Sequence, residues 1–250
     1  MNKEEQAEFD SSDGESESER TTIREFDYGD IPKYSTITII ASRRSGKSVL
    51  TRDILYHELI KKRKIKNIVI VSPTTMNGDY SFLADKYKFT EFNEHFLNAI
   101  LDNQESLIRE DPDGDHDLVM ILDDIVKSTS QKTRDILSRL YTLSRHYRLY
   151  VILVSQSLKH ETTPVIKMNS DLVVIFKTKN MNNKQEIMEH WLGFSSKEDR
   201  DKGIRVIDEI AQGYRSMIIN NTVHSNDIQD IVSYHEVDVE HSVPKNFFLY

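Results

Sequence analysis

Eight consecutive residues, Ser42-Arg43-Arg44-Ser45-Gly46-Lys47-Ser48-Val49, have the types and spacing to hold a chain of phosphates. Successive backbone N–H groups in such a loop can surround an anion, and Gly46 lets the backbone approach where a Cβ would stand in the way. Lys47 would then supply a point charge for β- and γ-phosphates, and Ser48 a hydroxyl for Mg²⁺. Arg43 and Arg44 either add charge beside the phosphates or stand in solvent. Further along, Leu118-Val119-Met120-Ile121-Leu122 runs into Asp123-Asp124. A carboxylate pair after an apolar run suits two jobs: Asp123 to hold Mg²⁺ through its water shell, and Asp124 to polarise an attacking water. A third polar pair, Ser155-Gln156, closes another apolar run. Gln156 either hydrogen-bonds the γ-phosphate or the water, or is a loop residue.

These groups can act together only if elements of the right kind carry them. Ile37 to Ile40 is a β-branched run that reads as a buried strand, and a helical pattern begins near Lys47, giving the strand, loop and helix of a P-loop. Ala41 stands where the motif G-x-x-x-x-G-K-[ST] has its first glycine, so the turn there must use a φ that alanine tolerates. Val49, Leu50, Ile54, Leu55, Leu59 and Ile60 form the apolar stripe of that helix, which ends among Lys61, Lys62, Arg63, Lys64 and Lys66. Those cations suit a helix C-terminus or a DNA backbone. Further strands are expected at Ile68 to Val71, Leu118 to Leu122, Tyr150 to Val154 and Leu172 to Phe176.

Helices are expected over Lys132 to Ser144, from Pro164 to Asn169 and over 184–192. Arg145, His146 and Arg148 follow the first of these and read, as residues, as cations at a helix end. Arg205 to Ile210 and Tyr214 to Asn220 read as a β-hairpin across Ala211-Gln212-Gly213. Phe26 and Tyr28 would pack under the sheet or against a nucleotide base. Residues beyond Asn221 carry no clear pattern.

The chain has 250 residues, enough for one substantial α/β core. Its formal charge of −8 sits largely in residues 1–20, where eight acids face two bases, so the remainder is nearly neutral. Residues 1–22 contain almost nothing apolar and are expected to form a disordered acidic tail. No cysteine is present, which excludes disulfides and thiolate chemistry. No apolar run approaches a membrane span and no signal pattern opens the chain, so an intracellular protein without membrane insertion is expected. The expected organisation is the tail at 1–22, a P-loop ATPase domain at 23–220, and an extension at 221–250.

The order of the P-loop, Asp123-Asp124, Arg145-His146 and Ser155-Gln156 resembles the genome-packaging ATPases of large double-stranded DNA viruses, the poxvirus-type branch of the FtsK–HerA class. The resemblance covers residues 35–180 well. It implies a three-layer α/β/α P-loop NTPase with a mainly parallel, twisted sheet of about five core strands in ASCE/RecA-like order. An extra strand would then separate the P-loop strand from the Asp-Asp strand. It also implies ATP and Mg²⁺ as ligands, Gln156 as a γ-phosphate sensor, and Arg145 as an arginine finger reaching a neighbouring subunit. Double-stranded DNA would be gripped without regard to sequence, with Lys127, Lys132 and Arg134 as candidate contacts. A ring oligomer and a capsid or membrane-vertex docking partner are implied as well. The expected place of action is the virion assembly site in the host cytoplasm, or the virion itself. The competing readings are a helicase-like P-loop ATPase and an assembly protein that binds nucleotide without hydrolysing it.

Overall fold

The computed structural model describes residues 23–42, 44–73, 80–125, 131–156, 163–194, 196–225 and 227–237. The acidic tail, Arg43, Lys127 and residues 238–250 therefore lie outside the described residues. Among the described residues, nine strands form one sheet: β1 (Arg24–Glu25), β2 (Thr36–Ile40), β3 (Asn67–Val71), β4 (Lys88–Phe89), β5 (Leu118–Asp123), β6 (Leu149–Ser155), β7 (Leu172–Ile175), β8 (Arg215–Asn220) and β9 (Val232–Glu236). Their spatial order is β1-β9-β8-β7-β2-β6-β5-β3-β4. The five central strands, β7-β2-β6-β5-β3, pair in parallel. As expected, β6 lies between the P-loop strand β2 and the Asp-Asp strand β5.

Parallel strands need covering on both faces, and the side-chain alternation supplies two apolar surfaces. On one face Ile37, Ile39, Ile70, Ile121, Ile152 and Val174 pack against Leu50, Leu55 and Leu59. Those leucines belong to α1 (Lys47–Asp53) and its continuation Ile54–Lys62, where bonds of the i→i+5 type widen the helix. On the other face Val71, Met120, Leu122, Val151 and Leu153 meet Leu97 and Leu101 of α2 (Glu94–Glu110) and Leu137 and Leu140 of α3 (Gln131–Leu143). The same face is extended by α4 (Pro164–Met168), α5 (Met181–His190) and α6 (Lys197–Ile210).

Helix α6 corrects the expected hairpin. Arg205 to Ile210 is rich in β-branched residues, but Gly203, Ile207 and Ile210 fall at helical spacing. Ser196 caps the helix by accepting from the Asp199 N–H, and Lys184 of α5 holds Asp208 at 2.6 Å. Tertiary packing thus overrides local strand preference. The strand at Arg215–Asn220 forms as expected but pairs with β7, antiparallel. Residues the sequence leaves unassigned supply α7 (Ile228–Ile231) and β9, which enters the sheet between β8 and β1.

The basic stretch after α1 is tied into the fold. Glu58 is buried, receives Arg63 Nε at 2.7 Å and pairs with Lys62 at 3.1 Å, while Arg63 also donates to the Tyr150 hydroxyl at 3.0 Å. Phe26 is buried in the core beneath the sheet, and Tyr28 bonds His235 of β9 at 2.8 Å, so packing is their role. Among the described residues, no helix is long and apolar enough to cross a membrane.

Burial holds the His235 imidazole below its ordinary pKa, against a weaker opposing pull from Glu25. The folded protein therefore binds fewer protons than the unfolded chain on the acid side of about pH 6.5, so this contribution to stability is complete above that value and is lost as pH falls toward the depressed folded value. The urea midpoint is expected to fall between about pH 7.5 and 5.5 by more in the parent than in a His235→Gln variant, which keeps a polar partner for Tyr28 but does not titrate. Equal falls in the two proteins would rule this out.

Candidate functional site

Parallel strands deliver their C-terminal ends to one rim of the sheet, where open α/β folds place ligands. The P-loop leaves β2 at this rim. Ala41 is buried in the core, receives no positive φ, and donates its N–H to Ser155 O at 3.0 Å, so alanine suits the first-glycine position. Ser45 Oγ closes the loop by donating to Ser42 O at 2.8 Å. Arg44 and Gly46 both have positive φ, 62° and 100°, with Ser45 between them. This alternation turns successive N–H groups toward a common centre, the geometry of an anion-binding nest. Gly46 carries the larger φ, which an L side chain rarely adopts. Ser48 lies in the first turn of α1, and Val49 packs partly buried against the core.

Three further groups converge on that loop. Lys47 Nζ donates to Asp123 Oδ1 at 2.8 Å, and both side chains are largely sheltered from solvent. This contact spans β6, because β2 and β5 each pair with it rather than with each other. Asp124 has φ 55° and donates its backbone N–H to Val154 O at 3.2 Å. Aspartate and asparagine tolerate this left-handed conformation better than most residues. Gln156 Nε2 donates to Asp124 Oδ1 at 3.3 Å, so the ends of β5 and β6 present carboxylate and amide as a pair. Lys47, Asp123, Asp124 and Gln156 are thus brought together as the sequence predicts.

One member of the cluster has no signature in sequence. Tyr80, fully buried, donates its hydroxyl to Asp123 Oδ2 at 3.0 Å. With Lys47 on one oxygen and Tyr80 on the other, the Asp123 carboxylate is fixed in rotation. An anion reaching Lys47 would compete for the first contact while the second stays in place, leaving Oδ1 available to a hydrated cation. The residues therefore fit both a polyphosphate and a divalent ion. A hard cation of the Mg²⁺ type is commonly held by one or two carboxylates with its own waters.

Arg145 is placed elsewhere. It follows α3 and pairs with Asp171, whose other oxygen accepts from the Thr36 N–H at 2.8 Å. Thr36 opens β2 and Asp171 directly precedes β7, so this cluster occupies the opposite rim. Five residues of strand separate the two rims, roughly 16 Å at ~3.3 Å per residue. Beneath Arg145, Thr38 bonds the Tyr141 hydroxyl at 2.9 Å and Ser170 at 2.8 Å. Burial raises the Tyr141 phenol above its ordinary pKa, so it stays neutral in this network. Of the candidate DNA contacts, Lys132 lies 3.8 Å from Glu94, and Arg134 donates to Gln131 Oε1 at 3.0 Å.

A parallel core in the order β7-β2-β6-β5-β3, with a P-loop after β2 and a carboxylate pair after β5, defines a P-loop NTPase of the class with an added central strand. Within that class, the chain belongs to the Poxvirus A32 protein family, whose model matches residues 24–246. A relative from Acanthamoeba polyphaga mimivirus, the uncharacterized protein L437, is 30% identical over 226 residues, covering 84% of this chain and 75% of its own. Protein 088R of invertebrate iridescent virus 3, also uncharacterized, is 26% identical over 214 residues, with 82% and 77% covered. Among solved structures, the genome-packaging NTPase B204 of Sulfolobus turreted icosahedral virus 2 with ATP-gammaS superposes with TM-score 0.57 at 18% identity, covering 83% of this chain and all of that one. The pCW3 conjugation coupling protein TcpA superposes with TM-score 0.58 at 14% identity, covering 86% and 64%. At these identities the structural likeness establishes the fold.

Proposed function

We propose that this chain is an ATP-hydrolysing motor that drives double-stranded DNA into a viral capsid. The observation that carries the reading is the convergence of Lys47, Asp123, Asp124 and Gln156 at one rim of the sheet, in a chain of the Poxvirus A32 family. The superposition of B204, a packaging NTPase, over 83% of this chain supports the same reading.

The phosphate chain of ATP would lie in the loop from Ser42 to Val49, with Lys47 turning from Asp123 to the β- and γ-phosphates. Mg²⁺ would be held by Ser48 and Asp123, and when bound it neutralises phosphate charge. Asp124 orients and polarises the attacking water, and Gln156, already bonded to Asp124, links that carboxylate to the state of the γ-phosphate. Hydrolysis of this kind rests on positioning and electrostatics rather than covalent catalysis.

Arg145 sits about a strand's length from its own Lys47, so as an arginine finger it must serve the site of an adjacent subunit. That requirement favours a ring, with the Arg145 rim of one copy against the phosphate rim of the next. DNA held through its backbone is moved without regard to sequence. A docking partner at the capsid or membrane vertex, and action at the assembly site in the host cytoplasm, complete the proposal.

The test is ATP turnover with and without DNA. Stimulation by double-stranded DNA of any sequence, declining steeply with added salt, is expected. Tight ATP binding without turnover would replace the motor with a nucleotide-dependent assembly protein. Stimulation confined to single strands, accompanied by unwinding, would replace it with a helicase.

A further inference from the structure

Tyr214 is a large aromatic residue left 54% exposed, and it stands against the phosphate loop. A Cβ built on Gly46 would lie 3.4 Å from Tyr214 Cδ1 and 3.6 Å from Phe176 Cε1. The two rings therefore border the loop on the side of β7 and β8. Phe176 is buried, whereas more than half of Tyr214 is open to solvent beside the loop. Among the described residues, no hydrogen bond, ion pair or ring contact engages Tyr214.

The backbone presents the ring deliberately. Gln212 to Arg215 close a tight turn through the Arg215 N–H and Gln212 O at 2.9 Å, with Gly213 at φ 59° in its first central position. A positive φ there alone is the pattern of a type II′ turn, a compact and well-defined connection. The next residue, Arg215, is anchored to Glu236 at 3.0 Å and lies over the Tyr234 ring. Because β8 runs antiparallel to β7, this turn falls at the same rim as Lys47 and Asp123.

We propose that Tyr214 is the stacking platform for the base of the nucleotide whose phosphates the loop holds, which makes the ligand class a nucleoside triphosphate. The inference rests on the reading of Ser42 to Val49 as a triphosphate site and adds the other end of the ligand. An aromatic face recognises the base by its π-surface, which every nucleobase presents.

Calorimetric titration of the full chain with Mg²⁺·ATP and with inorganic tripolyphosphate separates the two ends of the ligand. Tyr214→Ala is expected to weaken ATP about tenfold and to leave tripolyphosphate unchanged, since stacking on one aromatic ring is of that order. Tyr214→Phe, which keeps the ring and loses the hydroxyl, is expected to bind ATP as the parent does. An equal loss of ATP and tripolyphosphate in Tyr214→Ala would mean that the ring only supports Gly46, and would overturn the proposal. Unchanged ATP affinity would overturn it too, while the phosphate site stood. A parent protein that binds neither ligand would remove the phosphate site itself, and the stacking role with it.

Discussion

An Asp124→Asn protein is expected to bind Mg²⁺·ATP about as tightly as the parent and to hydrolyse it roughly 10²–10⁴ times more slowly, the span over which one positioned acid–base group acts. The local structure makes this a clean substitution. Asparagine has the same shape and is at least as tolerant of the left-handed backbone seen at position 124, where φ is 55°. Its side-chain oxygen can still accept from Gln156 Nε2, now at 3.3 Å, so the pairing of the β5 and β6 ends survives. What is lost is the negative charge proposed above to polarise the attacking water. Titration calorimetry for binding and phosphate release for turnover measure the two halves separately. Retained turnover would mean that another group polarises the water.

The second large effect concerns Arg145. If Arg145 acts in trans in the ring proposed above, replacing it with alanine is expected to cost about 10³–10⁵ in turnover, the range that an arginine finger contributes to phosphoryl transfer. Nucleotide binding by the single subunit should be unaffected, because the residue lies at the far rim from its own Lys47. Its side chain is 64% exposed, and although Asp171 is buried, that carboxylate keeps the Thr36 N–H and hydroxyl as donors, so the variant should fold with some loss of stability. Mixing inactive Arg145→Ala subunits with inactive Lys47→Ala subunits should restore part of the activity, since some junctions then combine an intact loop with an intact arginine. Failure to recover at every mixing ratio would confine Arg145 to its contact with Asp171.

The strands that carry the site are legible in sequence because each is buried on both faces and ends abruptly in polar residues. Thr36–Ile40, Leu118–Asp123 and Leu149–Ser155 all have this form, and Lys47, Asp123, Asp124 and Gln156 follow from where those runs stop. The Arg205 to Ile210 segment misleads for a local reason: β-branched side chains favour a strand until α5 and the Ser196 cap are in place. Tyr80 was beyond reach because it lies 43 residues before Asp123, and no spacing rule joins a buried phenol to a distant carboxylate. Arg145 shows a different limit. Its position after a helix is plain from sequence, but the rim it occupies depends on the pairing of Thr36 with Asp171, a contact between residues 135 apart.

The outermost strands carry a consequence for assembly. Because β1 and β9 run side by side in the same direction, the described chain enters near Ile23 at the rim of Arg145 and departs after Val237 at the rim of Lys47. In the head-to-tail ring proposed above, Ile23 of one copy would therefore be brought toward Val237 of its neighbour. A donor dye attached near residue 23 and an acceptor near residue 237, on separate copies, would light up if the circle closes.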